Sequence, residues 1–158
     1  MSGCDPMTNH VEPRMHRKIA DGLYLDAMLL ADEARSYFEE AGRDERNGLE
    51  SHARVAFSCE SLKVTTRLMH VLAFLLTRRA VEAGELSEAQ AREPSRRLDA
   101  QPPVDAAAIA HLPERARALV EASGALHRRA AALDLALAAE AVPDSPALAM
   151  QRRLSAML

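Results

Sequence analysis

The sequence predicts an all-α fold, an antiparallel three-helix bundle with a short extra helix and flexible tails at both ends, and three observations predict it. A composition rich in alanine and only 3% aromatic favours helices over strands, which draw on aromatic and β-branched residues. Three long segments place apolar residues in alternating four- and three-residue steps, the spacing that keeps one side of a helix pointing one way. Helix-stopping residues, Gly42, Gly84 and Pro143, follow the three segments in turn. At 158 residues and 48% hydrophobic, the chain has material for one core. The bundle is assigned to residues 18–141, between a leader at 1–17 and a tail at 142–158.

The leader holds Pro6 and Pro13 among scattered polar groups without periodicity. The first helix is expected at about 20–41, with Ile19, Leu23, Ala27, Leu30, Ala34, Phe38 and Ala41 on one face, Asp21 as its cap and Gly42 as its stop. The polar run GRDERNGLES, with its Asn47-Gly48 turn signal, reads as a loop, and Ser51 as the cap of a second helix reaching Gly84. These two helices should form an antiparallel hairpin. Ser87 and Gln90 have capping-box spacing for a short helix that Pro94 curtails, and Pro102-Pro103 mark a linker. A third long helix starts near Pro113 and runs toward Pro143 on Leu112, Ala116, Leu119, Ser123, Leu126, Ala130, Leu133 and Leu137. Gly124 should let it approach a neighbour closely. The tail ends in the weakly amphipathic ALAMQRRLSAML, which reads as mobile until a partner orders it.

The second helix carries two apolar stripes. Val55, Cys59, Leu62, Thr66, Met69, Ala73, Leu76 and Ala80 form an unbroken series, read as the core face. Phe57, Ser61, Val64, Leu68, Val71 and Leu75 lie nearly opposite at about 100° per residue. If exposed, that second set would form a patch of a size monomers hide, so Phe57, Val64, Leu68, Val71 and Leu75 are the expected seam of a symmetric homodimer. On one flank, Glu60, Lys63, Arg67 and Arg78 form a polar strip, the expected partner-docking surface. Its bland alternative is intrahelical pairing, Glu60 with Lys63 being worth only tenths of a kcal/mol.

Chemistry has little purchase here. The six histidines stand at no metal-binding spacing, Cys4 and Cys59 suggest neither disulfide nor zinc site, and a reducing cytoplasm suits them. No phosphate loop, nucleophile elbow or Cys/His pairing appears, so no catalytic residue, cofactor or metal is assigned. Asp32, Glu33, Glu39 and Glu40 read as a solvated face. Ser58, Ser61, Thr65 and Thr66 read as hydroxyls bonding the preceding turn. The most apolar window, Leu68–Leu76, is about half a membrane span and contains His70, so no membrane segment is expected. A net charge of −3 argues against nucleic acid.

The strings LYLDAMLLADEARSYF (Leu23–Phe38) and RVAFSCESLKVTTRLMHVLAFLLTRRAVEAGELS (Arg54–Ser87), above all the motif ESLKVTTRLM, resemble the signature blocks of the alphaproteobacterial RcdA family, the regulators of CtrA degradation. The likeness covers about half the chain closely and weakens toward LVEASGALHRRAAALDLAL (Leu119–Leu137). It implies a dimeric three-helix protein without enzymatic activity that helps deliver a CtrA-like response regulator to the ClpXP protease beside CpdR-like and PopA-like adaptors. It transfers no partner-binding residue. Phe74 stands where the resemblance leads one to expect tryptophan, and the linker with Pro94, Pro102 and Pro103 departs from the family pattern.

The leading expectation is thus a noncatalytic cytoplasmic adaptor of cell-cycle proteolysis. A helical transcriptional regulator touching DNA through Arg96 and Arg97 or Arg128 and Arg129 is the alternative, though helix-turn-helix spacing is missing. A small helical enzyme is the third reading, and no convergent polar pocket supports it.

Overall fold

In chain order the elements are α1 (Val11–Glu39), α2 (Ala41–Asn47), α3 (Ser51–Glu82), α4 (Glu88–Ala91), a 3₁₀ turn (Pro94–Arg96), α5 (Ala106–Ile109) and α6 (Glu114–Glu140). The computed structural model describes residues 11–140 together with Met150 and Leu154. Among the described residues every regular element is helical. Residues 1–10 of the expected leader lie outside them, as does the expected tail except for Met150 and Leu154.

The first helix begins nine residues earlier than its periodicity suggested, taking in residues 11–17 of the expected leader. Pro13 does not prevent this, because the first turn of a helix needs no N–H from it. The early turns are tied down: His16 Nδ1 lies 3.1 Å from Glu140 and Arg17 Nε 3.3 Å from Glu82. Asp21, the expected cap, is mid-helix and 4.0 Å from Arg79. The chain then kinks at Glu40 (φ −112°, ψ −99°) into α2, so residues 42–47 of the polar run are helix and only 48–50 form the expected turn. Gly42 makes this kink possible. A Cβ there would sit 2.7 Å from the Tyr37 carbonyl oxygen, so the chain can fold back over Tyr37 only without a side chain. Tyr37 is buried and its hydroxyl donates to Glu45, fastening α2 to α1.

Both α3 and α6 run antiparallel to α1, as ion pairs along the bundle show: Arg17 with Glu82 for α3, Arg129 with Asp26 and His16 with Glu140 for α6. The α1–α3 hairpin is the one expected. The third pair, α3 and α6, runs parallel: Arg67 meets Ser123, while farther along both helices Phe74 and Arg78 lie beside Leu137 and Ala138. Residues 83–113 therefore travel back along the bundle before α6 begins.

That return is well anchored. Gly84 at φ +75° ends α3 in a Schellman motif, with Glu85 N–H donating to Ala80 O and Gly84 N–H to Val81 O. The Ser87–Gln90 capping box is present in both directions, at 3.1 and 2.9 Å. After α4 and Pro94, Arg97 Nε donates to both oxygens of Asp134 at 2.8 and 3.0 Å, and His127 Nε2 donates to the Asp99 carbonyl. Gly124 faces this returning segment: a Cβ there would lie 2.7 Å from Val104 Cγ2. The expected close approach is real, and the neighbour is the linker.

The core is filled by Leu23, Ala27, Ala34 and Tyr37 of α1, by Leu119, Val120, Leu126, Ala130 and Leu133 of α6, and by one face of α3. The periodicity of α6 identified its buried side correctly, Leu137 being partly covered. Tyr37, Phe38 and Phe57 form an aromatic corner with centroids 5.1–6.4 Å apart. Each fully buried Leu, Val or Phe contributes about 1.5–3 kcal/mol of transfer free energy.

Candidate interaction surface

The two stripes of α3 have exchanged the roles expected of them. Phe57, Val64, Leu68, Val71 and Leu75, the expected dimer seam, are all at most 3% exposed inside the chain's own core, with Phe74 beside them. They cannot form a surface seam. Val55, Leu62, Met69 and Leu76, the expected core, are 64%, 68%, 63% and 51% exposed, and Cys59 is exposed as well. The physical reason is bulk. The buried side offers two phenylalanines and a large aliphatic group at nearly every turn, whereas the unbroken stripe alternates large residues with Cys59, Thr66, Ala73 and Ala80. Turning the bulkier side inward removes more apolar area from water.

The charged flank is also turned inward. Arg67 is 3% exposed, its Nη1 donating over 3.4 Å to Ser123 Oγ, which itself donates to the Val120 carbonyl at 2.8 Å. Glu60 is buried and holds Lys63 Nζ at 2.7 Å. Arg78 clamps Glu88 through two bonds of 2.8 and 3.1 Å. The expected docking strip Glu60, Lys63, Arg67 and Arg78 is therefore largely an internal latch, and only Lys63 presents a mostly exposed side chain. Helix α6 meets this flank at Arg67 and the returning connection meets it at Arg78, which no local pattern could reveal. The hydrogen bond from Arg78 holds the Glu88 carboxyl below the usual carboxylate range; burial opposes the shift, and the charges of Arg78 and Arg92 add to it. Burial, then the bond to Glu45, pushes the Tyr37 hydroxyl well above its ordinary value against the pull of Arg115.

The arginines of the DNA-binding alternative are partly engaged in the same way, Arg97 with Asp134 and Arg129 with Asp26. Of the four helix hydroxyls, Ser58, Ser61 and Thr65 donate to backbone carbonyls one turn back, as expected, while Thr66 does not. His70 sits at the rim with Gln101 Nε2 3.1 Å from its Nδ1.

What remains open beside the stripe is largely apolar. A groove of about 400 Å³ runs between α1 and α3, floored by Ala34 and Leu68 and walled by Phe38, Leu62, Met69 and Leu72. Leu25, Met28 and Leu29 on α1 are exposed as well. A second cleft, about 520 Å³, lies at the end of the bundle where Glu82 and Glu140 stand. It holds a His16–Glu140 pair and several arginines, and among the described residues no serine, threonine or cysteine lines it. Among the described residues no three His, Cys, Asp or Glu side chains gather as a metal site, and no helix is long and apolar enough to cross a membrane. Sequence reasoning found the exposed stripe but placed it on the wrong side. The signal that would have corrected it is the alternation of large and small residues within the stripe.

The fold is similar to the crystal structure of RcdA from Caulobacter crescentus CB15, with a TM-score of 0.62 and 29% sequence identity over 75% of this chain and 90% of that one. Among curated protein sequences none matches. The resemblance carried by the Leu23–Phe38 and Arg54–Ser87 blocks is thus matched in three dimensions. A family model described as a protein of unknown function, DUF1465, matches residues 11–158, and the chain belongs to that family.

Proposed function

We propose that this protein is a noncatalytic, cytoplasmic adaptor of regulated proteolysis that works as a homodimer and brings a CtrA-like response regulator to a ClpXP-type protease, beside CpdR-like and PopA-like adaptors. One observation carries the reading: an uncharged apolar stripe runs nearly the length of α3 in water while Glu60, Arg67 and Arg78 beside it are spent on internal contacts. A surface of this kind serves association, since monomers rarely leave so long an apolar patch uncovered. The likeness to RcdA supplies the direction of that association. Such an adaptor acts by tethering, because holding client and protease on one scaffold turns a bimolecular encounter into an intramolecular one at high effective concentration. No bond is made or broken by the protein itself.

The test is a reconstituted degradation reaction with ClpXP, CpdR-like and PopA-like adaptors and a CtrA-like client, with and without this protein. Client loss should be faster when the protein is present. Client turnover that is unchanged across micromolar additions overturns the proposal.

A further inference from the structure

The exposed stripe has a second regularity. Val55, Leu62, Met69 and Leu76 are spaced by sevens, and Cys59, Thr66, Ala73 and Ala80 are spaced by sevens between them. This is a heptad seam with the large residues at one repeating position and the small ones at the other. None of the eight is charged. A straight α-helix drifts by about 20° per heptad, so a seven-residue apolar repeat held over nearly four heptads fits a partner helix that winds gently around it.

Resting on the homodimer of the proposed function, we infer that the occupant of this seam is α3 of a second copy, packed antiparallel in the register that sets residue 66 opposite 69. The reason is size. In that register Met69 faces Thr66, Leu62 faces Ala73, Leu76 faces Cys59 and Val55 faces Ala80, each pair occurring twice about the two-fold axis. Every layer then joins one large and one small side chain, and the helices keep one separation along the whole seam, as uniform packing requires. A parallel arrangement instead stacks small on small and large on large. Its layers alternate between gaps and crowding, and each gap forfeits dispersion contacts.

The flanks agree with the antiparallel choice. Across the seam Lys63 neighbours His70 of the second copy, Ser58 neighbours Arg79, and Thr65 neighbours Leu72, with no two side chains of fixed like charge opposed. The arrangement is isologous, so it closes at two copies. From Val55 to Ala80 the seam is about 39 Å long at 1.5 Å per residue. At a width of about 10 Å it covers on the order of 800 Å² over both copies, and the flanking residues carry it toward the roughly 1,200 Å² at which specific interfaces begin.

Cysteine crosslinking reads the register directly. With Cys4 replaced by serine, the full chain keeps a single thiol at Cys59, and Leu76→Cys adds the thiol predicted to face it on the other copy. Mild oxidation should convert most of the Leu76→Cys protein into covalent dimer through bonds between Cys59 and the thiol introduced at position 76, confirmed by peptide mapping, while the single-thiol protein stays uncrosslinked. In case the loss of Leu76 itself weakens pairing, Val55→Cys with Ala80→Cys in a Cys59→Ser background tests the same register at the seam's ends. Sedimentation velocity on the uncrosslinked protein separates the two ideas. A monomer at tens of micromolar overturns the dimer and with it the seam. A dimer that crosslinks Cys59 to Cys59, or that crosslinks in neither cysteine pair, keeps the dimer and overturns the register.

Discussion

Leu75 and Leu76 are neighbours with the same side chain and opposite fates, and they decide which stripe of α3 is core. Leu75 is 1% exposed among Val71, Phe74 and Leu68, whereas Leu76 is half in water. Truncating Leu75 to alanine removes buried methyl groups and leaves a cavity that a close-packed interior closes only in part, a cost of about 2–5 kcal/mol. Truncating Leu76 forfeits only partial burial, and alanine is at least as good a helix former, so the expected cost is within about 0.5 kcal/mol. For a chain of this size, with roughly 2–4 °C of melting temperature per kcal/mol, a Leu75→Ala loss near 3 kcal/mol lowers Tm by about 6–12 °C. The assay is urea unfolding followed by far-UV circular dichroism, at low micromolar and again at tenfold lower concentration so that association is held apart from folding. A Leu76→Ala variant as destabilised as Leu75→Ala, with no dependence on concentration, would refute the burial argument.

Two further perturbations probe how the fold is closed. Gly42→Ala should destabilise by about 1–3 kcal/mol despite the helix propensity of alanine, because the new Cβ meets the Tyr37 carbonyl at 2.7 Å and backbone cannot step aside as a side chain can; Tm checks it. For Glu88 the folded carboxyl titrates below its unfolded value, so the clamp with Arg78 contributes fully above pH 4.5 and is lost as pH falls through the folded pKa. Wild type should exceed Glu88→Gln by about 0.5–1 kcal/mol at pH 7, since Glu88 itself is half exposed, and the gap should close in chemical denaturation as pH falls from 4.5 through the lowered folded pKa.

The legibility of this sequence differs from element to element for identifiable reasons. Local chemistry was readable: the Ser87–Gln90 capping box, the Gly84 stop and the single apolar stripe of α6 each depend on residues within one or two turns. The side of α3 that faces inward was not, because both stripes satisfy helical periodicity and only the bulk of Phe57, Phe74, Val64 and Val71 separates them. The charged flank misled for a different reason. Arg67 and Arg78 find Ser123 and Glu88, 56 and 10 residues away, and those meetings follow from a return path that periodicity does not encode. The polar helix α2 was equally hidden, since it is held by Tyr37 and Glu45 rather than by an apolar stripe of its own.

The central claim is that the solvent-facing stripe of α3 is the surface through which this protein associates. Sedimentation velocity on wild type and Met69→Glu across a dilution series tests it most directly, because the substitution places a charge at the middle of the stripe on a residue that is 63% exposed. Wild type should sediment as a dimer, and Met69→Glu as a folded monomer with the same far-UV circular dichroism spectrum at the same concentration, its Tm lower only by the association it has lost. A variant that remains dimeric, or a wild type that is monomeric throughout, would contradict the claim.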